Sequence, residues 1–227
     1  MRRRAALCLL LALVLGACDP PQLPPKSTPA EVAASSIGAQ LRDYDRDVLA
    51  AVQRLAGSQR TRAERDALAR GTTLSAPATR DDVKALEKRI GRRLPPSYRE
   101  FLLTSNGMLF HGALNTVTML PAATVEPLGA NNYPSLQAWI DKSDVAIPLD
   151  RTAGGPLPGP ALAHAWVISS VEDGDVYLIF PELARPDGEW PVWFFGAKNP
   201  GAIAYGSFGA MLARERGPAL EELRQRR

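Results

Sequence analysis

The chain has 227 residues, 45% of them hydrophobic and 22% charged, which is enough to bury one sizeable core. Its formal charge of +3 hints at a polyanion partner, but the excess sits at the N-terminus. Residues 1–17 hold three arginines and no acid, so without them 24 basic residues face 24 acidic ones and the argument for a nucleic-acid partner disappears.

The chain opens on Arg2, Arg3 and Arg4, then an apolar run from Ala5 to Ala17. That run is too short for a hydrocarbon core, which takes about 20 residues of helix, so it reads as a processed signal. Leu15-Gly16-Ala17-Cys18 resembles the bacterial lipobox, which implies cleavage before Cys18 and a diacylglyceryl thioether on its sulfur. The alternative is an ordinary signal peptide that leaves a free cysteine. Several acyl chains anchor stably where one binds marginally. The only other cysteine, Cys8, leaves with the signal, so no disulfide or thiolate site is expected. A lipid anchor on Cys18 places the protein on the periplasmic side of the bacterial envelope; both the inner and the outer membrane stay open, and Asp19, which resembles an inner-membrane retention signal, favours the inner. Residues 18–30 are proline-rich and read as an extended tether.

A helical extension is expected over 31–75. Between Glu31 and Gly57, Val32, Ile37, Leu41, Tyr44, Val48, Val52 and Leu55 recur near one face, and "TRAERDALAR" makes a shorter second helix. The pair reads as an added helical layer or a stalk. From residue 76 a second unit runs to 227. Thr79 and Asp82 form a capping box for a helix with Val83, Leu86 and Ile90 on one face and Gly91 as its stop. Leu94-Pro95-Pro96 restarts the chain into a helix burying Tyr98, Phe101 and Leu102, closed by Asn106-Gly107.

Strands are then expected over "NTVTML", "VAIPL", "AWVISS", "DVYLIF" and "PVWFF", with a short helix over "PSLQAWIDK" capped by Ser135. Asp173-Gly174 is hairpin-turn chemistry. Ser207 caps a helix burying Phe208, Met211 and Leu212. Gly217-Pro218 should interrupt it ahead of a charged helical tail. The class is α+β: a helical hairpin, an antiparallel-rich sheet with helices on one face, and a C-terminal helix, preceded by the N-terminal helical segment.

No catalytic, cofactor or metal set assembles. His111 and His164 are about fifty residues apart without companions at ligand spacing, and each reads as structural. "GSFG" at Gly206 lacks the nucleophile-elbow pattern, and no Walker A or dinucleotide fingerprint is present. Between Glu100 and Trp190, eleven acids stand against three basic residues. Solvated loops and an acidic surface that steers a basic partner explain this equally well. The residues proposed for such a surface are Glu172, Asp173, Asp175, Asp187 and Glu189, with Trp190 as an exposed anchor. Trp190 and Trp193 are expected on the same side of a strand, with Trp193 and Trp166 in the core.

"VKALEKRIGRRLPPSYREFLLTSNG" resembles the opening motif of the SUKH superfamily, the Smi/Knr-type domains. The matching positions are Leu86, Glu87, Gly91, Leu94, Pro95, Tyr98, Phe101, Leu102, Asn106 and Gly107. "GDVYLIF", "GEWPVWFF" and Ser207-Phe208 extend the likeness over Thr79 to Arg214; the stretch from Met108 to Leu162 and the helices over 31–71 depart from it. The resemblance implies a non-enzymatic binding domain similar to immunity proteins, which neutralise a toxin by binding it. The partners implied are a secreted toxin and, through Cys18, a membrane. The alternative is a scaffolding or regulatory lipoprotein with a resident envelope partner.

Overall fold

The computed structural model describes residues 36–112, 115–129, 160–196 and 202–226. The signal, Cys18, the tether, and the elements expected over "PSLQAWIDK" and "VAIPL" lie outside them. Helix α1 spans Ile37–Arg54, its N-terminus capped by Ser36, whose Oγ accepts from Ala39 N. Helix α2 (Arg62–Arg70) starts in a Thr61/Glu64 capping box and stops at Gly71, which adopts φ 73°. Helix α3 (Arg80–Ile90) has the expected Thr79/Asp82 box and a left-handed Gly91. Helix α4 (Pro96–Thr104) begins on Pro96 at its first position and buries Tyr98, Phe101 and Leu102.

Strands β1 (Met108–His111) and β2 (Thr116–Met119) form an antiparallel pair. A second, five-stranded sheet runs in the order β3-β4-β5-β6-β7, all antiparallel. Its strands are β3 (Glu126–Pro127), β4 (Trp166–Val167), β5 (Val176–Ile179), β6 (Val192–Phe195) and β7 (Ala202–Tyr205). A Met119↔Ser169 bridge, with Leu120 N donating to Ile168 O, joins the two sheets. A single turn, α5 (Pro160–Ala163), leads into β4, and α6 (Phe208–Gln225) closes the described chain.

The five-stranded sheet is buried on both faces. Tyr177, Ile179, Val192 and Phe194 pack with α1, α3, α4 and α6 in the larger core; Val176, Leu178, Trp193 and Phe195 pack with Leu128 and Leu162 in the smaller one. The two-residue alternation of strands therefore serves two cores at once.

Several expectations need correction. Trp190 and Trp193 do not share a side: they are three residues apart, so the pleat turns them oppositely, Trp190 into the larger core and Trp193 into the smaller. Trp190 is 3% exposed and is not a surface anchor. Strands β1, β3 and β7 were not foreseen; "MLFH" is buried at every position and shows no alternation. Helix α6 runs unbroken through Pro218. An internal proline costs about 3 kcal/mol; burial of Ala219 and Leu223 beyond it offsets that cost. The extension is a packed layer and not a stalk: Ile37, Leu41, Tyr44, Val48, Val52 and Leu55 share the larger core with the strands, so 75/76 is not a packing boundary.

Candidate partner-binding surface

The residues expected to form one acidic surface sit at the two ends of β5. At its start, Glu172 and Asp175 exchange backbone hydrogen bonds (3.1 and 2.8 Å) around Asp173 and Gly174, whose φ angles are 52° and 86°. Positive φ at both central residues is the type I′ signature, so Asp173 is chosen for the turn. Glu172 and Asp173 are exposed there, but Asp175 is buried and accepts from Asn115 Nδ2 at 2.9 Å. Beyond the far end of β5, whose four residues span about 13 Å at roughly 3.3 Å per residue, Asp187 is half exposed and pairs with Arg185 at 3.0 Å. Glu189 serves the fold: its carboxylate accepts from Ser97 N (2.9 Å) and Ser97 Oγ (2.6 Å). It thereby caps α4, whose N-cap, Pro95, has no side chain to do so. That cap draws the neighbouring Trp190 inward. Of the six residues named from the sequence, Glu172, Asp173 and Asp187 thus face solvent.

Sequence reasoning missed the polar network beneath the extension. Glu64 is fully buried on α2 and accepts from Thr61 N (2.7 Å) and from Arg226, Nη1 at 2.6 Å and Nη2 at 3.1 Å. His111 Nε2 lies 3.0 Å from its Oε1. Burial pushes the Glu64 carboxyl up, but the bonds from His111, Arg226 and Thr61 outweigh it and hold the group well below the usual carboxylate range. With Glu64 ionised, His111 donates to it through Nε2–H, and its Nδ1 has no partner among the described residues. Tyr44 Oη accepts from His111 N at 2.6 Å and donates to His111 O at 3.0 Å. The legible trace of this network was the T-x-x-E of Thr61 and Glu64, itself a capping-box pattern.

A second polar group lies at the top of β5, where Tyr205 Oη donates to buried Glu215. Burial first, then Glu215, Tyr205, Tyr44 and Asp175, push the Tyr177 hydroxyl well above its ordinary range. His111 is sealed inside, and His164 is more than half exposed, 3.5 Å from Glu182. Among the described residues no three His, Cys, Asp or Glu side chains are grouped to hold a metal.

The arrangement is that of a scaffold packed around two apolar cores and presenting loops, and the profile of the SMI1 / KNR4 family (SUKH-1) matches residues 77–214. The chain belongs to that family. The SUKH match runs from the capping box of α3 to the middle of α6 and takes in every described strand. Helices α1 and α2 and the end of α6 lie outside it. No curated protein matches the chain. Membership is consistent with an immunity-type, protein-binding function.

Proposed function

We propose that this protein is an envelope-anchored immunity protein. It binds a cognate toxin directly and without catalysis, from the periplasmic side of a membrane to which a lipid on Cys18 fastens it. The SUKH match carries the reading of a binding domain. The lipobox-like Leu15-Gly16-Ala17-Cys18 supports the anchor. A defence against a toxin that acts in the envelope must stand where that toxin arrives, and lipidation provides this. Exposed Glu172 and Asp173 at the hairpin tip steer a basic partner before contact, and short-range packing then holds it.

The test is survival of cells that export a toxin encoded beside this protein. The toxin is paired with the wild type, with Cys18→Ala, or with a form lacking residues 1–17. Rescue by the wild type and not by the signal-less form supports periplasmic immunity, and the Cys18→Ala result reports on the anchor. An active toxin that the wild type fails to neutralise excludes that pair. An envelope defect on deletion in pure culture would favour the scaffolding alternative.

A further inference from the structure

Helix α3 carries a cationic stripe that the fold does not use. Arg80, Lys84 and Lys88 stand four residues apart and are exposed, while Val83 and Leu86 of the same helix are fully buried. Arg80 and Lys88 make no hydrogen bond or ion pair among the described residues, and Lys84 reaches only Asp81, 3.4 Å away and itself 91% exposed. Their neighbours differ. Arg89 donates to Ala122 O and Val125 O, and Arg92 to Pro181 O, so those two arginines hold loops in place. The stripe also works against its own helix. Like charges at i,i+4 repel, and Arg80 places a cation at the positive end of the helix dipole. Lys88 alone suits its position, near the C-terminus.

The stripe begins where the chain enters the domain. Gly38 N donates to Glu100 Oε1 at 3.0 Å, and Ala78 N donates to Leu102 O at 2.8 Å. The start of α1 and the approach to α3 thus meet the same last turn of α4. A domain hung by residues 18–35 is therefore held by the end from which the stripe runs. Resting on the lipid-anchor reading above, we propose that Arg80, Lys84 and Lys88 form the membrane-facing surface, which seats the tethered domain on anionic phospholipid headgroups. Each basic side chain near an anionic bilayer adds a modest attraction that salt screens. Three of them suffice to orient a domain already confined by its anchor.

The test uses the full chain, wild type against Arg80→Glu/Lys84→Glu/Lys88→Glu, floated on phosphatidylcholine vesicles with and without phosphatidylglycerol. Glutamate suits position 80 better than arginine does and position 88 worse than lysine does, so the effects on the exposed helix face largely offset, and an unchanged circular-dichroism melt verifies the fold. The leader contributes equally to both proteins, so the readout is the gain in binding from phosphatidylglycerol. The expected result is a wild-type gain that falls at high salt and drops about tenfold or more in the variant. Equal gains overturn the proposal and leave the stripe to an acidic protein. Labelled fatty-acid incorporation at Cys18, measured in cells, tests the anchor separately. Label without a stripe-dependent gain sinks this proposal alone, whereas a stripe-dependent gain without label supports the surface and removes the anchor.

Discussion

The family-matched part closes on apolar packing, and the helical extension joins that core and adds ionic pairings to it. Around the strands, both sheet faces close on apolar side chains, with Phe101, Phe208 and Tyr98 rings 4.6 to 5.8 Å apart in the larger core. Where α1 and α2 meet the end of α6, charges join the apolar contacts. Arg216 pairs with Asp47, and Arg226 closes on buried Glu64. Both junctions link segments about 160 or more positions apart. Apolar packing tolerates some repacking, but a buried carboxylate does not tolerate the loss of its partners. The added helices are thus held by the shared apolar core and, besides it, by a few ionic pairings, of which the buried one at Glu64 matters most.

The sharpest way to break the comparison is Glu64→Ala. Removing one member of a buried ionic group leaves the others uncompensated, at a cost of about 3 kcal/mol, the low end of the usual range. The low end applies because Arg226 is 23% exposed and can recover water. Urea unfolding reads the loss, and amide exchange should show α2 and the end of α6 opening before the strands. The same site sets an acid response. The Glu64 carboxyl lies below its free value of 4.5 when folded, so its contribution is complete above that pH. It is lost progressively as pH falls below 4.5 towards the depressed value. Glu64→Gln should flatten that part of the stability profile while lowering it at neutral pH.

Gly112→Ala tests the strand side. An added Cβ would overlap Tyr177 Oη and stand 3.2 Å from Glu215 Oε2, both on elements that cannot retreat cheaply. The expected loss is about 1–3 kcal/mol. A loss as large as that of Glu64→Ala would show the polar group around Tyr177 to be as unforgiving as the ionic junction.

Helix limits were legible because they are written locally: Thr79 with Asp82, Gly91, Pro96 and Ser207 each act within a turn. The Asp173-Gly174 hairpin was legible for the same reason. What the sequence hid is non-local. "MLFH" is buried throughout and carries no alternation to mark it as a strand. Helix α6 passes Pro218 because of contacts with α1, which no window around the proline contains. Glu189 and Trp190 looked exposed from their flanks. The first is a helix cap and the second lies in the core, through a partner 92 positions away.

Glu189→Ala separates those two jobs. It removes the side-chain acceptor that, among the described residues, caps the start of α4, and should cost about 1 kcal/mol, the usual worth of an N-cap. Glu172→Lys with Asp173→Asn, which removes the acid and keeps a side chain suited to φ 52°, should leave stability nearly unchanged and slow only the capture of a basic partner. Rapid-mixing association rates at low and high salt read that effect.

The smallest change has the opposite sign. Tyr98 is fully buried among Phe101 and Phe208, and its hydroxyl has no hydrogen-bond partner among the described residues. Burial pushes that hydroxyl well above its ordinary range, so it stays neutral and its cost is desolvation alone. Tyr98→Phe removes the stranded group and keeps the ring, so the protein should hold its stability or gain about 1 kcal/mol. The thermal midpoint at neutral pH measures this. A clear loss would mean that a water, or a partner reaching this core, satisfies the hydroxyl. A gain would mean that even the apolar half of the molecule carries one polar atom at a cost, at a position where the family motif places a tyrosine.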